Sequence, residues 1–380
     1  MPKFKFGDIA INCTEKRKPT EADMATYIGL EHLDSGSLTV HRFGSAVPIK
    51  GDKTIMHKGD ILFGKRNAYL KRAAIAPHDG LFSAHGMVLR PKENVVDKDF
   101  FPHFINSDYF FDEAIRISVG SLSPTINWIA LKELEFELPS LEKQRSLARI
   151  LWAINRTSEA YKVLLARTAD LVKSQFVEMF GDPIENPKGW PTIGLLEIGN
   201  CKNGMNFGHN EEGYTVHCIG VSDFKDNLSI SNTSNIPMIS VNSKPSTELL
   251  LQDGDILFVR SNGNKELVGR SLLVYPGDIK TTFSGFCIRY RLNTEKVISM
   301  FVLYFLRQET VRKLLQGRGA NIQNLNQKII ASISVFVPPM ELQKAFVQQV
   351  QQLDKSKFEL EHTLKELAGI CRRIIVENLG

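Results

Sequence analysis

The sequence predicts an α+β protein: two homologous mixed α/β domains joined by two long helices, in a pseudo-twofold internal repeat. Three observations predict it: duplicated motifs, short β-rich runs punctuated by turn residues, and two segments with heptad order. Asn12-Cys13 recurs as Asn200-Cys201, and Ile28-Gly29-Leu30 recurs as Ile219-Gly220-Val221. Gly59-Asp60-Ile61-Leu62-Phe63 returns as Gly254-Asp255-Ile256-Leu257-Phe258. Gly120, Pro139, Glu142 and Gln144 reappear 199 residues later as Gly319, Pro338, Glu341 and Gln343. The spacing drifts from 188 to 199, so loops change length while the plan persists. Solenoid repeats run to about 20–50 residues, and a period of half the chain means tandem domains instead. Such a protein is expected to handle a target with two halves.

In chain order, the reading gives a first block at 1–140, a helix at 141–180, a second block at 181–339 and a helix at 340–380. The blocks hold short strands such as Asp60-Ile61-Leu62-Phe63 and Arg270-Ser271-Leu272-Leu273-Val274-Tyr275, bounded by Gly, Pro, Asn and Asp. Helical stretches such as Phe301–Leu315 are interspersed. Leu138-Pro139-Ser140 and Val337-Pro338-Pro339 end the blocks. Long segments without Gly or Pro follow, broken in the second copy only by Gly369.

Those segments carry a 4,3 spacing. The first runs Leu147, Leu151, Ile154, Ser158, Tyr161, Leu165, Thr168, Val172, Gln175, Met179. The second runs Phe346, Val350, Leu353, Lys357, Leu360, Leu364, Leu367, Cys371, Ile374, each 199 residues after a member of the first. A strict 3.5-residue period suits a seam facing another helix, so the two helices are expected to pack on each other and hold the blocks apart. The other reading is that each helix covers its own block. The polar members Ser158, Thr168, Gln175 and Lys357 weaken the seam, and buried polar positions of this kind can fix register.

Composition bounds the class. The hydrophobic fraction of 43% and charged fraction of 23% are ordinary for a soluble globular protein. No apolar run at the start resembles a signal peptide, and none reaches the length of a membrane span, so a cytoplasmic location and no membrane partner are expected. The five cysteines are an odd number without a C-x-x-C pair, which fits buried thiols in a reducing compartment. Net charge is +5, but residues 1–140 carry 18 basic and 18 acidic side chains, and residues 181–339 carry 16 and 14. Any nucleic-acid surface must therefore be a local patch.

Catalytic motifs are missing. Gly59-Asp60-Ile61-Leu62-Phe63-Gly64-Lys65-Arg66 resembles a P-loop, but Arg66 replaces the magnesium-binding hydroxyl and Ile61-Leu62-Phe63 reads as strand interior. Val337-Pro338-Pro339-Met340 lacks the polar lead residue and the aromatic of an amino-methyltransferase tetrapeptide. No H-E-x-x-H, G-x-S-x-G or glycine-rich S-adenosylmethionine loop occurs. His78 and His85 read as turn or core histidines, and Cys13 and Cys201 as structural thiols. The sequence reads as a binding protein, with no catalytic residue, metal ligand or bound cofactor of its own.

The densest basic run is Lys65-Arg66-Asn67-Ala68-Tyr69-Leu70-Lys71-Arg72. Cations neutralise phosphates, and Arg and Asn can pair with guanine and adenine edges, so Lys65, Arg66, Asn67, Tyr69, Lys71 and Arg72 are DNA-binding candidates. The equivalent stretch contributes Arg260, Ser261, Asn262, Asn264 and Lys265. A shared frame with a divergent loop is what reading two different half-sites requires. A solvated surface loop is the alternative for each stretch. Arg312, Lys313 and Arg318 form a weaker patch, and Lys16-Arg17-Lys18 another.

Phe176-Val177-Glu178-Met179-Phe180-Gly181-Asp182-Pro183, followed by Asn186-Pro187-Lys188-Gly189-Trp190-Pro191, resembles the central signature of type I restriction-modification specificity subunits. The Gly-Asp-Ile-Leu-Phe strands and the Leu-Pro-Ser-Leu-Glu-Lys-Gln and Val-Pro-Pro-Met-Glu-Leu-Gln helix starts are similar to that family too, and the likeness spans nearly the whole chain. The resemblance implies two target-recognition domains separated by helices paired as an antiparallel coiled coil. It implies a bipartite double-stranded DNA site whose unspecified gap the helices measure. It also implies two modification subunits bringing S-adenosylmethionine for adenine methylation, and restriction subunits using ATP and Mg. The chain has almost no sequence ahead of its first domain, unlike some relatives. Two other readings stand beside this one: a non-catalytic coiled-coil adaptor with two paralogous protein-binding heads, and a methyltransferase or nuclease with a cryptic site.

Overall fold

The computed structural model describes residues 1–208, 211–224, 227–316 and 324–379. The chain divides into two compact units, Met1–Val163 with Leu360–Gly380, and Leu164–Glu359. Two helices of 40 residues each, Leu141–Phe180 and Met340–Leu379, contribute one end to each unit. Among the described residues no helix is long and apolar enough to cross a membrane.

In the first unit, strands Ala10–Cys13, Met87–Pro91, Ile61–Phe63 and Ala73–Ile75 form an antiparallel sheet in that spatial order. A smaller sheet joins Lys16–Arg17, Lys53–Met56 and Gly80–Phe82. Lys3–Lys5 pairs with Glu135–Glu137, the last strand before the first long helix. The second unit repeats the order of the main sheet and the terminal strand pair, but not that of the smaller sheet. Gly199–Asn203, Cys287–Leu292, Asp255–Val259 and Ser271–Val274 form the main sheet, extended by Ser229–Ile230. Met238–Val241, Tyr214–Ile219 and Thr281–Phe283 form the smaller one, and Thr192–Gly194 pairs with Ser334–Phe336. The Asn-Cys pair ends the strand Ala10–Cys13 and lies within Gly199–Asn203, so the first duplicated motif marks equivalent edge strands.

The duplicated Gly-Asp-Ile-Leu-Phe motif has one physical job in both copies. Gly59 and Gly254 turn the chain into the strand at φ +94° and +87°, a left-handed conformation that disfavours any Cβ. The next three apolar residues enter a strand whose two faces are both covered, which is why they run apolar without alternation. The aspartate is buried and held bidentate by an arginine of the neighbouring strand. Asp60 accepts from Arg90 Nε and Nη2 at 2.6 and 3.0 Å and from the His57 amide at 2.7 Å. Asp255 accepts from Arg291 Nε and Nη2, both at 2.7 Å, and from the Gln252 amide at 2.8 Å. A buried carboxylate is tolerable only with such partners.

A second duplicated device fixes each long helix to its block. The buried Gln144 amide donates from Nε2 to the Val95 and Pro139 carbonyls and accepts the Asp97 amide at Oε1. Gln343 does the same with the Lys296 and Pro338 carbonyls and the Ile298 amide. Just beyond it, the helix enters the core. Leu147, Ala148 and Leu151 pack in the first unit with Phe6, Phe104, Phe110 and Phe136, and Ile375 and Leu379 of the other helix belong to the same core. In the second unit Val172, Phe176 and Phe180 share a core with Phe346 and Val350. Between these ends the heptad residues Ile154, Tyr161, Leu165, Leu353, Leu360, Leu364, Leu367 and Ile374 are half-buried.

The segment after the first long helix is a C-terminal cap. Gly181 takes φ +87°, and the Trp190 indole donates to the Phe180 carbonyl at 2.9 Å. Lys188 Nζ donates to the Glu178 and Met179 carbonyls at 2.7 and 2.9 Å. Asn186 closes the turn through both amide atoms onto the Trp190 backbone. Helix ends leave carbonyls without intrahelical partners, and a cation there also complements the helix dipole.

Burial grades the two ion pairs. Asp255 is 0% exposed and its partner Arg291 21%, whereas Asp60 is 6% and Arg90 41%. Asp255→Ala is expected to cost about 3 kcal/mol and Asp60→Ala about 1–2 kcal/mol, because the drier arginine is the harder one to leave unpaired. Hydrogen-exchange protection at Leu257 and Leu62 reads the two effects locally, and equal losses would contradict burial as their cause.

Candidate nucleic-acid interface

The basic run of the first block leaves the end of the strand Ile61–Phe63. Backbone bonds clamp it on both sides: Gly64 N donates to the Arg72 carbonyl at 2.9 Å, and Ile126 N donates to the Lys65 carbonyl at 3.0 Å. Ala68 N also donates to the Pro124 carbonyl at 3.2 Å, and Arg66 bridges Thr125. Asn67 and Lys71 take φ values of +54° and +44°, so the run is a defined turn and not a loose loop.

Its side chains divide by role. Arg66 and Tyr69 are exposed and Asn67 half-buried, and the Arg66 and Asn67 side chains have no hydrogen-bond partner among the described residues. Lys65 is half-buried, and burial, with the nearby charge of Lys16, pushes its ammonium pKa down. That places the Lys16 charge beside the run. Lys71 turns to Asp108 and Asp112, each at 2.7 Å. Burial lowers its pKa, but the two carboxylates outweigh that, so it stays charged and engaged. Arg72 donates from Nη1 to the Leu30 carbonyl at 2.9 Å. The candidates of this run left uncommitted to the frame are thus Lys65, Arg66, Asn67 and Tyr69.

The second block repeats the frame. Leu325 N donates to the Arg260 carbonyl at 2.7 Å, and Ser261 bridges Asn324, matching the bonds of Lys65 and Arg66. Lys65 therefore corresponds to Arg260, Arg66 to Ser261 and Asn67 to Asn262. Arg260 Nη1 lies 3.4 Å from the Gly285 carbonyl. Asn262 Oδ1 accepts the Asn264 amide at 2.8 Å and Asn264 Oδ1 the Glu266 amide at 3.0 Å, forming two local turns. Lys265 is exposed. Ser261, Asn262 and Gly263 line a groove of about 440 Å³ with Phe207, Ser284 and Phe286.

Arg312 is a buttress. Its guanidinium donates to the Val268 and Glu266 carbonyls at 2.7 and 2.8 Å, and burial with the charges of Arg270 and Arg307 pushes its pKa down to about 10. Lys313 pairs with Glu309, while Arg318 lies outside the described residues, as does Gly319. In the Lys16-Arg17-Lys18 patch, Arg17 is committed to Asp23. The thiols are buried or half-buried, and desolvation pushes those of Cys201, Cys218 and Cys287 up to about 12, far from a nucleophilic thiolate at neutral pH.

Two elements of this surface escaped the sequence reading. One is the loop from Val119 to Thr125, bonded to the basic run; Gly120 was visible as a repeated glycine, but nothing local tied it to Arg66. The other is the turn Ser284–Phe286, whose Phe286 carbonyl accepts the Arg260 amide at 2.7 Å. The recurrence of Phe82-Ser83 as Phe283-Ser284 was the available signal.

The profile of the type I restriction modification DNA specificity domain matches this chain twice, over residues 4–166 and 187–368. The StySPI type I restriction enzyme specificity subunit of Salmonella potsdam is 26% identical over 325 residues, which cover 79% of this chain and 68% of that protein. A putative MjaX specificity subunit of Methanocaldococcus jannaschii is 25% identical over 377 residues, covering 90% and 84%. Among solved structures, the S subunit from M. genitalium superposes with a TM-score of 0.57 at 15% identity, covering 100% of this chain and 96% of that one. A chain from a study of assembly and conformational transition in the type I R-M system gives 0.60 at 18% identity, covering 99% and 97%. Repeated strand order, repeated ion pair and repeated helix clamp thus coincide with a doubled match along most of the sequence, and the chain belongs to the type I restriction-modification DNA specificity family.

Proposed function

We propose that this chain is the DNA-specificity subunit of a type I restriction-modification complex and reads a bipartite target, one half with each block. One observation carries the reading: the specificity-domain profile matches twice, and in both matches the same strand exit presents a polar loop of different chemistry. A shared frame gives each loop the same approach to a duplex, and different side chains give different base preferences. Arg66 is suited to a guanine edge and Asn67 to an adenine edge, with Lys65 and Lys16 on phosphates. In the second block Asn262, Asn264 and Ser261 supply amide and hydroxyl contacts, with Arg260 and Lys265 as the cations.

The long helices act in this reading as an antiparallel coiled coil that sets the distance between readers. Support comes from within each unit: the start of the first helix shares a core with the end of the second, and its end shares a core with the start of the second. Forty residues of helix measure about 60 Å. The chemistry belongs to partners. Two modification subunits hold S-adenosylmethionine and methylate adenine, and restriction subunits use ATP and Mg to translocate and cut. This chain binds none of those cofactors, catalyses no covalent step, and works in the cytoplasm.

Mobility shift of duplex DNA with the co-expressed modification subunit, followed by methylome sequencing of a host expressing the complex, tests the assignment. A sequence-dependent shift and a bipartite methylated motif are expected; methylation by this chain alone would overturn it. Arg66→Ala is expected to weaken binding or relax specificity at one half-site only, by roughly 1–3 kcal/mol. An equal loss at both halves means that Arg66 does not read bases. Adding four residues within Ala160–Lys173, matched by four within 351–364, lengthens the helices by about 6 Å and is expected to widen the tolerated gap by about two base pairs. An unchanged methylation motif after that insertion contradicts the ruler.

A further inference from the structure

We infer that Leu122 reads the C5-methyl group of a thymine in the half-site bound by the first block, as the apolar complement of Arg66 and Asn67; this rests on the assignment of that block as a DNA reader. Leu122 is 95% exposed and Val119, in the same loop, 67%. The loop that carries them is built to hold them out. Val119 and Thr125 exchange backbone hydrogen bonds of 3.0 and 2.9 Å, closing a small ring of chain with Leu122 near its middle. Gly120 turns the loop at φ +110°, and Thr125 Oγ1 donates to the Ser123 carbonyl at 2.9 Å. The base of the ring is fastened to the basic run through Ile126 N to the Lys65 carbonyl, Ala68 N to the Pro124 carbonyl, and the Arg66–Thr125 bridge. An isobutyl group fixed in water on such a loop gains free energy when an apolar partner covers it.

The surroundings select the partner. Lys65 and Lys16 make the ground beside the loop positive, which favours an anionic surface. Arg66 and Asn67, fastened to the same ring, are side chains suited to base edges in the major groove, where the one apolar feature is the thymine methyl. The second block also places an exposed apolar residue by its polar loop, on a different element. Phe286 is 61% exposed, and its backbone carbonyl accepts from the Arg260 and Ser261 amides at 2.7 and 3.4 Å. Each block thus sets an exposed apolar side chain beside its polar loop, Leu122 on the ring closed by Val119 and Thr125 and Phe286 on a different turn. A leucine wedge between base pairs, or a leucine held against another protein, would also be apolar, but neither depends on a methyl group at one position.

That difference is the test. The chain co-purified with its modification subunit is titrated, by fluorescence anisotropy, with duplexes carrying the methylome-defined motif. Each thymine of the first half-site is replaced in turn by deoxyuracil, which lacks only the methyl group. Wild type is expected to lose about fourfold in affinity at one position, the effect of one methyl withdrawn from an apolar contact. Leu122→Ala is expected to show no further loss there, Leu122→Met to keep the discrimination, and both to respond like wild type to deoxyuracil in the second half-site. The inference is overturned if no position discriminates in wild type, or if Leu122→Ala keeps the deoxyuracil penalty. It is also overturned if that variant weakens all duplexes alike, as a wedge or a protein contact would. Absence of any sequence-dependent binding by wild type would remove the DNA-reader assignment itself, a result distinct from all of these.

Discussion

A buried glutamine at the start of each long helix holds this molecule's plan together. Gln144 and Gln343 each bind two carbonyls and one amide of the preceding block, satisfying their own polar atoms and those of the backbone they touch. An unpaired amide at such depth would cost on the order of 1–3 kcal/mol, so the helix leaves each block in one direction only. The aromatic cores then follow, since Leu147 and Leu151 in one unit and Phe346 and Val350 in the other enter them within about two turns of the clamp. In the proposed role as a spacer such a helix must not rotate at its ends, and these three-bond attachments hold it.

The periodic features were legible in the sequence because a period needs only local information. Helix extents and the buried strand Ile61–Phe63 follow from apolar spacing and from where Gly and Pro fall. Two things were not legible. Heptad order could not separate embedded ends from a half-covered middle, because both use the same apolar residues. The helices therefore partly fit the plainer reading as well: their ends do cover their own blocks.

The basic run shows the other limit. Four cations in eight residues look alike in a sequence, yet Lys71 is committed to carboxylates 37 and 41 positions away and Arg72 to a carbonyl 42 positions away. Pairings that distant depend on tertiary placement, and no motif encodes them. For the same reason the Val119–Thr125 loop was invisible beside Arg66 until the fold joined them. The motifs that carried the family resemblance turned out to be scaffold. The Gly-Asp strands are ion-pair anchors, and the Asn-Pro-Lys-Gly-Trp turn is a helix cap. The proposed recognition residues fall instead in the stretches where the two copies differ.

The bidentate aspartate–arginine pair has a consequence for how this lineage changes. It ties together strands at the heart of each sheet through side chains outside the loop that leaves them, so Arg66 and Tyr69 at the exposed tip take no part in it, whereas Lys71 and Arg72 of the same loop do bond to the frame. Substitutions at Arg66 or Tyr69 therefore leave the aspartate–arginine pair intact. New preferences can accumulate a residue at a time on an unchanged chassis.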